Sequence, residues 1–244
     1  MLVASAPPVL AVPVVSWTAE EEHLRPGSRR TRRTLLLAAA RAFGSRGYHA
    51  ASVRDILVDA ELTKGALYFH FRSKEDLARA LVVEVFRSWR IVVADISSRG
   101  LDPLWRLLLE SDAIVGRRMY DPVVRGASRA MSEAETFVSE RQVWLHDWLT
   151  DIEGHLGAAA AEGVLRDDVD PARVARLVQA ISTGHFALGE AVRASPNYWW
   201  RMSDMWEAMI PLITVDPWAH AWAASPWRSR PAPDPEAYAR ARRP

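Results

Sequence analysis

The stretch at residues 62–77, LTKGALYFHFRSKEDL, collects side chains whose types and spacing could do chemistry. It contains both lysines of the chain, Lys64 and Lys74, whereas the other 29 basic residues are arginines. The hydroxyl of Tyr68 and the imidazole of His70 lie between them. Ammonium, hydroxyl and imidazole groups donate hydrogen bonds to phosphates and to base edges. The stretch therefore favours contact with a polyanion, although the aromatic run YFHF also fits core packing, a stacking platform or a metal site.

The distribution of charge supports a polyanion contact. The whole chain has a formal net charge of +1, but residues 25–90 contain 14 Arg and Lys against 6 Asp and Glu, a local net charge of +8. A basic segment beside a mildly acidic remainder is typical of a local polyanion-binding module. The alternative explanation is a solvated charged face.

Two of the alternatives for the aromatic run are disfavoured. No second His or carboxylate stands beside His70 at the spacing of metal ligands. A stacking platform presents its aromatic rings on a sheet, and no segment shows the alternation of a strand. We therefore predict that Leu67, Phe69 and Phe71 are core residues, and that Tyr68 and His70 face outward.

Capping signals place this stretch in a series of helices. TRRTLLLAAARAF carries an apolar stripe that ends near Gly47, and Ser52 followed by Asp55 marks the start of VRDILVDA. Thr63 is the predicted cap of KGALYFHF, and Ser73 that of the long helix that follows. Two short helices joined by a three-residue turn, after a longer first helix, form the helix-turn-helix pattern.

A helix-turn-helix inserts its second helix into the major groove while flanking groups contact phosphate. Gly65 and Ala66 are small enough for a close approach to the bases, and Lys74 at a helix start is a predicted phosphate clamp. Arginines before and within the first helix add non-specific attraction. The predicted DNA-binding residues are Arg32, Ser52, Thr63, Lys64, Gly65, Ala66, Tyr68, His70 and Lys74.

The rest of the chain predicts an all-α protein with four parts. Residues 1–28 are a flexible leader and residues 29–75 an N-terminal three-helix DNA-binding domain. Residues 76–215 form a larger helical domain for ligand binding and dimerisation. Residues 216–244, rich in Pro and Ala, are predicted to be disordered or loosely packed. The helices near 171–190 and 198–215 are the predicted dimer interface, as a four-helix bundle.

Several functional classes are excluded or disfavoured by composition. The chain has no cysteine, which excludes disulfides, thiolate metal sites and cysteine nucleophiles. No apolar stretch reaches the roughly 18 residues of a membrane span. The apolar start lacks a basic segment and is interrupted by prolines, so we predict a leader and not a signal peptide, a cytoplasmic protein and no membrane partner.

The segment TRRTLLLAAARAFGSRGYHAASVRDILVDAELTKGALYFHFRSKEDL resembles the DNA-binding domain of the tetracycline-repressor (TetR) family, over residues 30–77. The resemblance implies a homodimer that binds a near-palindromic double-stranded operator and is released by a small-molecule effector. TKGALYFHF followed by KEDLA is further similar to the γ-butyrolactone autoregulator receptors, which control secondary metabolism. By that similarity Trp148 contacts the effector, with Trp144 one turn earlier on the same helix face, and Thr183 supplies a pocket hydroxyl.

Other interpretations remain open. One is a TetR-type repressor of efflux or of another pathway, or a pseudo-receptor that responds to an antibiotic. A helical enzyme is disfavoured because the chain has no glycine-rich phosphate loop, no G-x-S-x-G motif and no convincing metal set, and we expect no cofactor. Asp147, Asp151 and His155 share a helix face and could ligate a metal, but a solvated or dimer-facing polar stripe is the commoner explanation.

Overall fold

A computed structural model describes residues 11–17, 24–191 and 198–244, and these ranges are built from α-helices joined by short turns. Within them no strand forms, apart from an isolated antiparallel bridge between Leu165 and Thr214. The all-α prediction is confirmed. The helices are α1 Pro26–Arg46, α2 Val53–Ala60, α3 Lys64–His70, α4 Lys74–Ser97, α5 Pro103–Tyr120, α6 Pro122–Glu133, α7 Val138–Ala161, α8 Pro171–Ala191, α9 Tyr198–Ile213, α10 Asp216–Ala223 and α11 Pro235–Ala241.

The capping residues set the boundaries of the first helices as predicted. Ser52 and Asp55 form a reciprocal capping box at the start of α2, in which each side chain bonds the backbone N–H of the other. Thr63 accepts the N–H of Ala66 at the start of α3. Ser73 accepts the N–H of Asp76 in the first turn of α4, at 3.0 Å. These short side chains fix where α2, α3 and α4 begin.

One compact unit comprises Val14–Val93, Arg117–Trp144 and Asp234–Pro244. Its core joins the first four helices to α6. Gly126 of α6 packs directly on α1, since an added Cβ there would lie 2.6 Å from the carbonyl oxygen of Ala40. A glycine permits this approach because it has no side chain. The fully buried core residues of this unit include Leu35, Phe43, Ile56, Leu67, Leu77, Val123 and Phe137.

The second compact unit comprises Ala94–Gly116 and Leu145–Pro233, with residues 11–13. A tryptophan cluster lies in its core, where the ring of Trp105 is 5.2 Å from Trp218 and 5.7 Å from Trp222. Trp222 in turn lies 4.7 Å from Trp227. The two units cross the predicted domain boundaries, because α4, α5 and α7 each contribute residues to both.

The prediction that residues 216–244 are disordered or loosely packed is wrong. They form α10, a 3₁₀ turn at Pro226–Ser229 and α11, and they bury Trp218, Trp222 and Tyr238. Trp218 and Trp222 are four residues apart, so they share one helix face and supply the apolar surface that the Pro- and Ala-rich composition concealed.

A buried arginine attaches each part of this segment to its own unit. Arg230 bonds both carboxylate oxygens of Asp112 and lies 3.3 Å from the ring centre of Trp227. Arg242, whose side chain is 1% exposed, contacts Asp121 and Glu84 at 2.8 Å each. The indole of Trp17 donates to the carbonyl of Arg242 at 3.1 Å. The predicted leader therefore also contributes a buried residue.

We find no helix in the described ranges that combines the length and apolarity required to cross a membrane.

Candidate nucleic-acid interface and ligand cleft

The N-terminal turn of α3 is open to solvent. Thr63, Lys64 and Gly65 are exposed, and the only atom within 4 Å of a Cβ built on Gly65 is the Thr63 hydroxyl oxygen, at 3.8 Å. Leu67, which is 0% exposed, anchors the helix from the opposite side. This arrangement presents the predicted base-reading residues at an uncovered helix end.

The aromatic run divides differently from the prediction. Leu67 and Phe71 are buried as predicted, but Phe69 is 79% exposed, so its assignment to the core is wrong. In a helix, residue 69 points about 200° away from residue 67, whereas 67 and 71 share a face. Tyr68 is also exposed, at 57%, and His70 is half-buried with its ring 5.0 Å from that of Phe69. The outer face of α3 therefore carries two exposed aromatic rings.

Lys74 differs from the predicted phosphate clamp. Its ammonium donates to the carbonyls of Tyr48 at 2.8 Å and Ala51 at 3.1 Å, with His49 farther away at 3.4 Å. It also lies 4.5 Å from the ring centre of Tyr48. An ammonium has three donors, and these contacts direct them into the protein. Lys74 therefore secures the turn between α1 and α2, an interaction that no local sequence pattern signals.

Two other predicted DNA-binding residues also have partners within the protein. The guanidinium of Arg32 lies 4.6 Å from the ring centre of Phe71. The hydroxyl of Ser52 donates to Asp55 at 2.8 Å. Hydrogen bonds from Ser52 and then from Arg46 lower the pKa of Asp55, which keeps the capping carboxylate ionised.

Two exposed cations beside α3 were not singled out from the sequence. Arg54 lies on α2 and Arg72 directly after α3. Neither side chain forms an ion pair with any residue that the structure describes. The sequence feature that could have identified them is their position next to the predicted recognition helix.

A cleft opens between α5, α7, α8 and α9 within the second unit. The cleft is narrow and opens to solvent at its mouth. The ring of Trp148 lies 6.3 Å from that of Phe186, and the indole of Trp206 donates to the Ser111 hydroxyl at 2.9 Å. The lining residues are Leu107, Glu110, Ser111, Ile114, Val115, Trp148, Asp151, Ile152, Val178, Ser182, Phe186, Met202 and Trp206.

Of the three predicted ligand-binding residues, Trp148 lines this cleft. Trp144 instead packs on Phe86 and Trp89 in the first unit, with ring distances of 5.4 and 6.0 Å. Thr183 is exposed, and the hydroxyl that lines the cleft belongs to its neighbour Ser182. Neighbouring residues of a helix point about 100° apart, which explains why Ser182 faces the cleft and Thr183 does not.

The cleft contains two carboxylates, Glu110 and Asp151, and its lining has no Arg or Lys. His155 Nε2 lies 3.1 Å from one oxygen of Glu110. Burial raises the pKa of Asp151, and the negative charges of Glu110 and Asp147 raise it further, whereas His155 lowers it. The predicted polar stripe on α7 thus turns towards a carboxylate of α5. In the described ranges no three His, Asp or Glu side chains are grouped to hold a metal ion.

Comparison with known proteins identifies the first unit's helices. Residues 35–81 match the family model of bacterial regulatory proteins, tetR family. The chain is 28% identical over 183 residues to the A-factor receptor protein of Streptomyces griseus, covering 75% of this chain and 63% of that protein. It is 30% identical over 167 residues to the transcriptional repressor KstR2 of Mycolicibacterium smegmatis, covering 64% of this chain and 76% of that protein.

Solved structures give the same result over more of the chain. One, described as the molecular basis for control of antibiotic production by bacterial hormones, is 33% identical with a TM-score of 0.67, covering 76% of this chain and 98% of that one. A γ-butyrolactone receptor (ArpA-like protein) is 25% identical with a TM-score of 0.66, covering 88% and 98%.

Proposed function

Because the chain belongs to the tetR family of bacterial regulatory proteins, we propose that it is a transcriptional repressor that releases its operator when a small molecule occupies the cleft. The effector, by similarity to the γ-butyrolactone receptors, is an autoregulator of secondary metabolism. The alternative is a repressor of efflux or of another pathway, and the likeness to the repressor KstR2 supports repression without naming an effector. In either case the protein acts by binding and not by catalysis.

The observation that supports DNA binding is the exposure of α3. Its open N-terminal turn presents Thr63, Lys64 and Gly65 for base and phosphate contacts. The exposed rings of Tyr68 and Phe69 extend the same surface, with the Tyr68 hydroxyl as a phosphate donor and Phe69 as an apolar contact for a thymine methyl group.

A homodimer is supported by apolar residues left exposed on α8 and α9. Leu177 and Ile181 are 51% and 37% exposed and lie one turn apart on α8, and Leu188 is 53% exposed. On α9, Trp200 and Leu212 are 44% and 68% exposed. Exposed apolar side chains on two helices are what a four-helix dimer interface buries. Two-fold symmetry would then place two α3 helices about 34–36 Å apart, in successive major grooves.

The test begins by selecting an operator from a random double-stranded DNA library with the full-length protein. Its dissociation constant is then measured over a series of salt concentrations. We expect Lys64→Ala to weaken binding and to reduce the slope of log K against log salt by about 1.8, that is two phosphate contacts per dimer, one from each α3. Arg240→Ala removes an equal charge from α11 and serves as the matched control. Failure to select any duplex, or equal slopes for the two variants, would contradict the proposed role of α3.

A further inference from the structure

We propose that the cleft takes a protonated amine carried on an apolar or aromatic framework, with the amine at Glu110 and Asp151. The inference rests on the proposed ligand-responsive function and specifies the chemical class of its effector. It departs from a lactone, whose ring and carbonyl oxygens accept hydrogen bonds and would meet two acceptors in the cleft.

Carboxylate oxygens that face the cleft carry the first step. The side chain of Glu110 is 5% exposed, and His155 bonds one of its oxygens. Its other oxygen, and both oxygens of Asp151, receive no hydrogen bond from the part of the protein that the structure describes. These oxygens are open to solvent at the cleft, so a bound ligand would replace their water. A ligand with N–H groups and a positive charge supplies the donors that the described residues do not.

The walls of the cleft give the second step. Trp148, Phe186 and Trp206 contribute aromatic surface beside the carboxylates, and Leu107, Ile114 and Val178 are apolar. Aromatic faces attract organic cations, most strongly when the cation is desolvated. The combination of an apolar wall and a few convergent polar groups is typical of a small-molecule site.

Charge balance gives the third step. The titratable groups around the carboxylates are His155 and the exposed Asp147, both on α7. The lining holds the carboxyl groups of Glu110 and Asp151 and no Arg or Lys to offset them. A positive charge on the ligand favours the ionised form of Asp151.

The test uses a matched series of probes: phenylbutylamine, phenylbutanol and phenylbutyrate, with γ-decalactone as the lactone. Titration calorimetry and quenching of tryptophan fluorescence measure their binding to the full-length protein. We expect the amine to bind about tenfold or more tightly than the alcohol, as a charge-assisted hydrogen bond requires. Asp151→Asn and Glu110→Gln should each reduce that preference, and Asp167→Asn, which removes the same charge at an exposed position outside the lining, should leave it unchanged.

The outcomes separate the two proposals. If the lactone or the alcohol binds as well as the amine, or the amine does not bind, the amine assignment is overturned while ligand-responsive repression stands. If the amine binds with the expected variant pattern but never releases the selected operator, the cleft assignment stands and the proposed function fails.

Discussion

Replacing Lys74 by methionine distinguishes a structural role from a phosphate contact. Methionine keeps the apolar stem but removes the ammonium, which donates to the carbonyls of Tyr48 at 2.8 Å and Ala51 at 3.1 Å. Hydrogen bonds to a charged group contribute about 1.5–3 kcal/mol each. Lys74 is half-buried and the freed carbonyls regain some water, so we expect a loss of about 2–3 kcal/mol from the free energy of unfolding.

The assay is urea unfolding followed by far-UV circular dichroism, together with operator binding over a series of salt concentrations. We expect Lys74→Met to lower operator affinity through displacement of the turn between α1 and α2, with the salt slope unchanged. Lys64→Met is the matched control: since Lys64 is exposed, stability should change by less than about 0.5 kcal/mol, and the slope should fall by about 1.8, two phosphate contacts per dimer. The reasoning is refuted if Lys74→Met unfolds like wild type and reduces the slope by one phosphate contact per protomer.

Three further substitutions test other parts of the structure. Arg242→Met leaves two buried carboxylates without their cation and should lower the free energy of unfolding by about 3–5 kcal/mol in urea. The control Arg240→Met, in an exposed ion pair, should change it by less than about 1 kcal/mol. Equal effects of the two substitutions would contradict the buried pairing. Phe69→Ala should leave the unfolding midpoint within error, because the ring is 79% exposed, and should weaken operator binding; a large loss of stability would return Phe69 to the core. Leu188→Glu places a charge in the proposed dimer face and should yield monomers in sedimentation velocity, and an unchanged dimer would place the interface elsewhere.

Local patterns predicted the helix boundaries because the interactions that set them are local. The capping box of Ser52 and Asp55 spans three residues, and Thr63 bonds a backbone N–H three residues on. The inward placement of Leu67 and Phe71 also follows from helical spacing. The same spacing places Phe69 on the other face of α3. The prediction that Phe69 is a core residue was wrong because it followed the hydrophobicity of the side chain and not its position on the helix.

The remaining errors come from contacts between distant parts of the chain. Lys74 bonds residues more than twenty positions earlier, at separations of 23 to 26. The pairing of Arg242 with Asp121 spans 121 residues, and composition alone made its surroundings resemble a disordered tail. For the cleft, the sequence identified the correct helices but not which side chain of each faces inward. Trp148 lines the cleft as predicted, whereas on α8 Ser182 lines it and Thr183 does not.

The end of the C-terminal segment, residues 234–244, therefore belongs to the unit that contains the helix-turn-helix. Asp121, which receives Arg242, is also the N-cap of α6 and accepts the N–H of Val123. α6 lies against α1 at Gly126, with no side chain between their backbones, and α1 packs in one core with the helix-turn-helix. A buried cation near the end of the chain thus stabilises the start of the helix on which α1 rests. Because breaking a buried ion pair costs several times the value of a surface pair, truncation before α11 should impair operator binding even though α3 retains every residue that we propose to face the DNA.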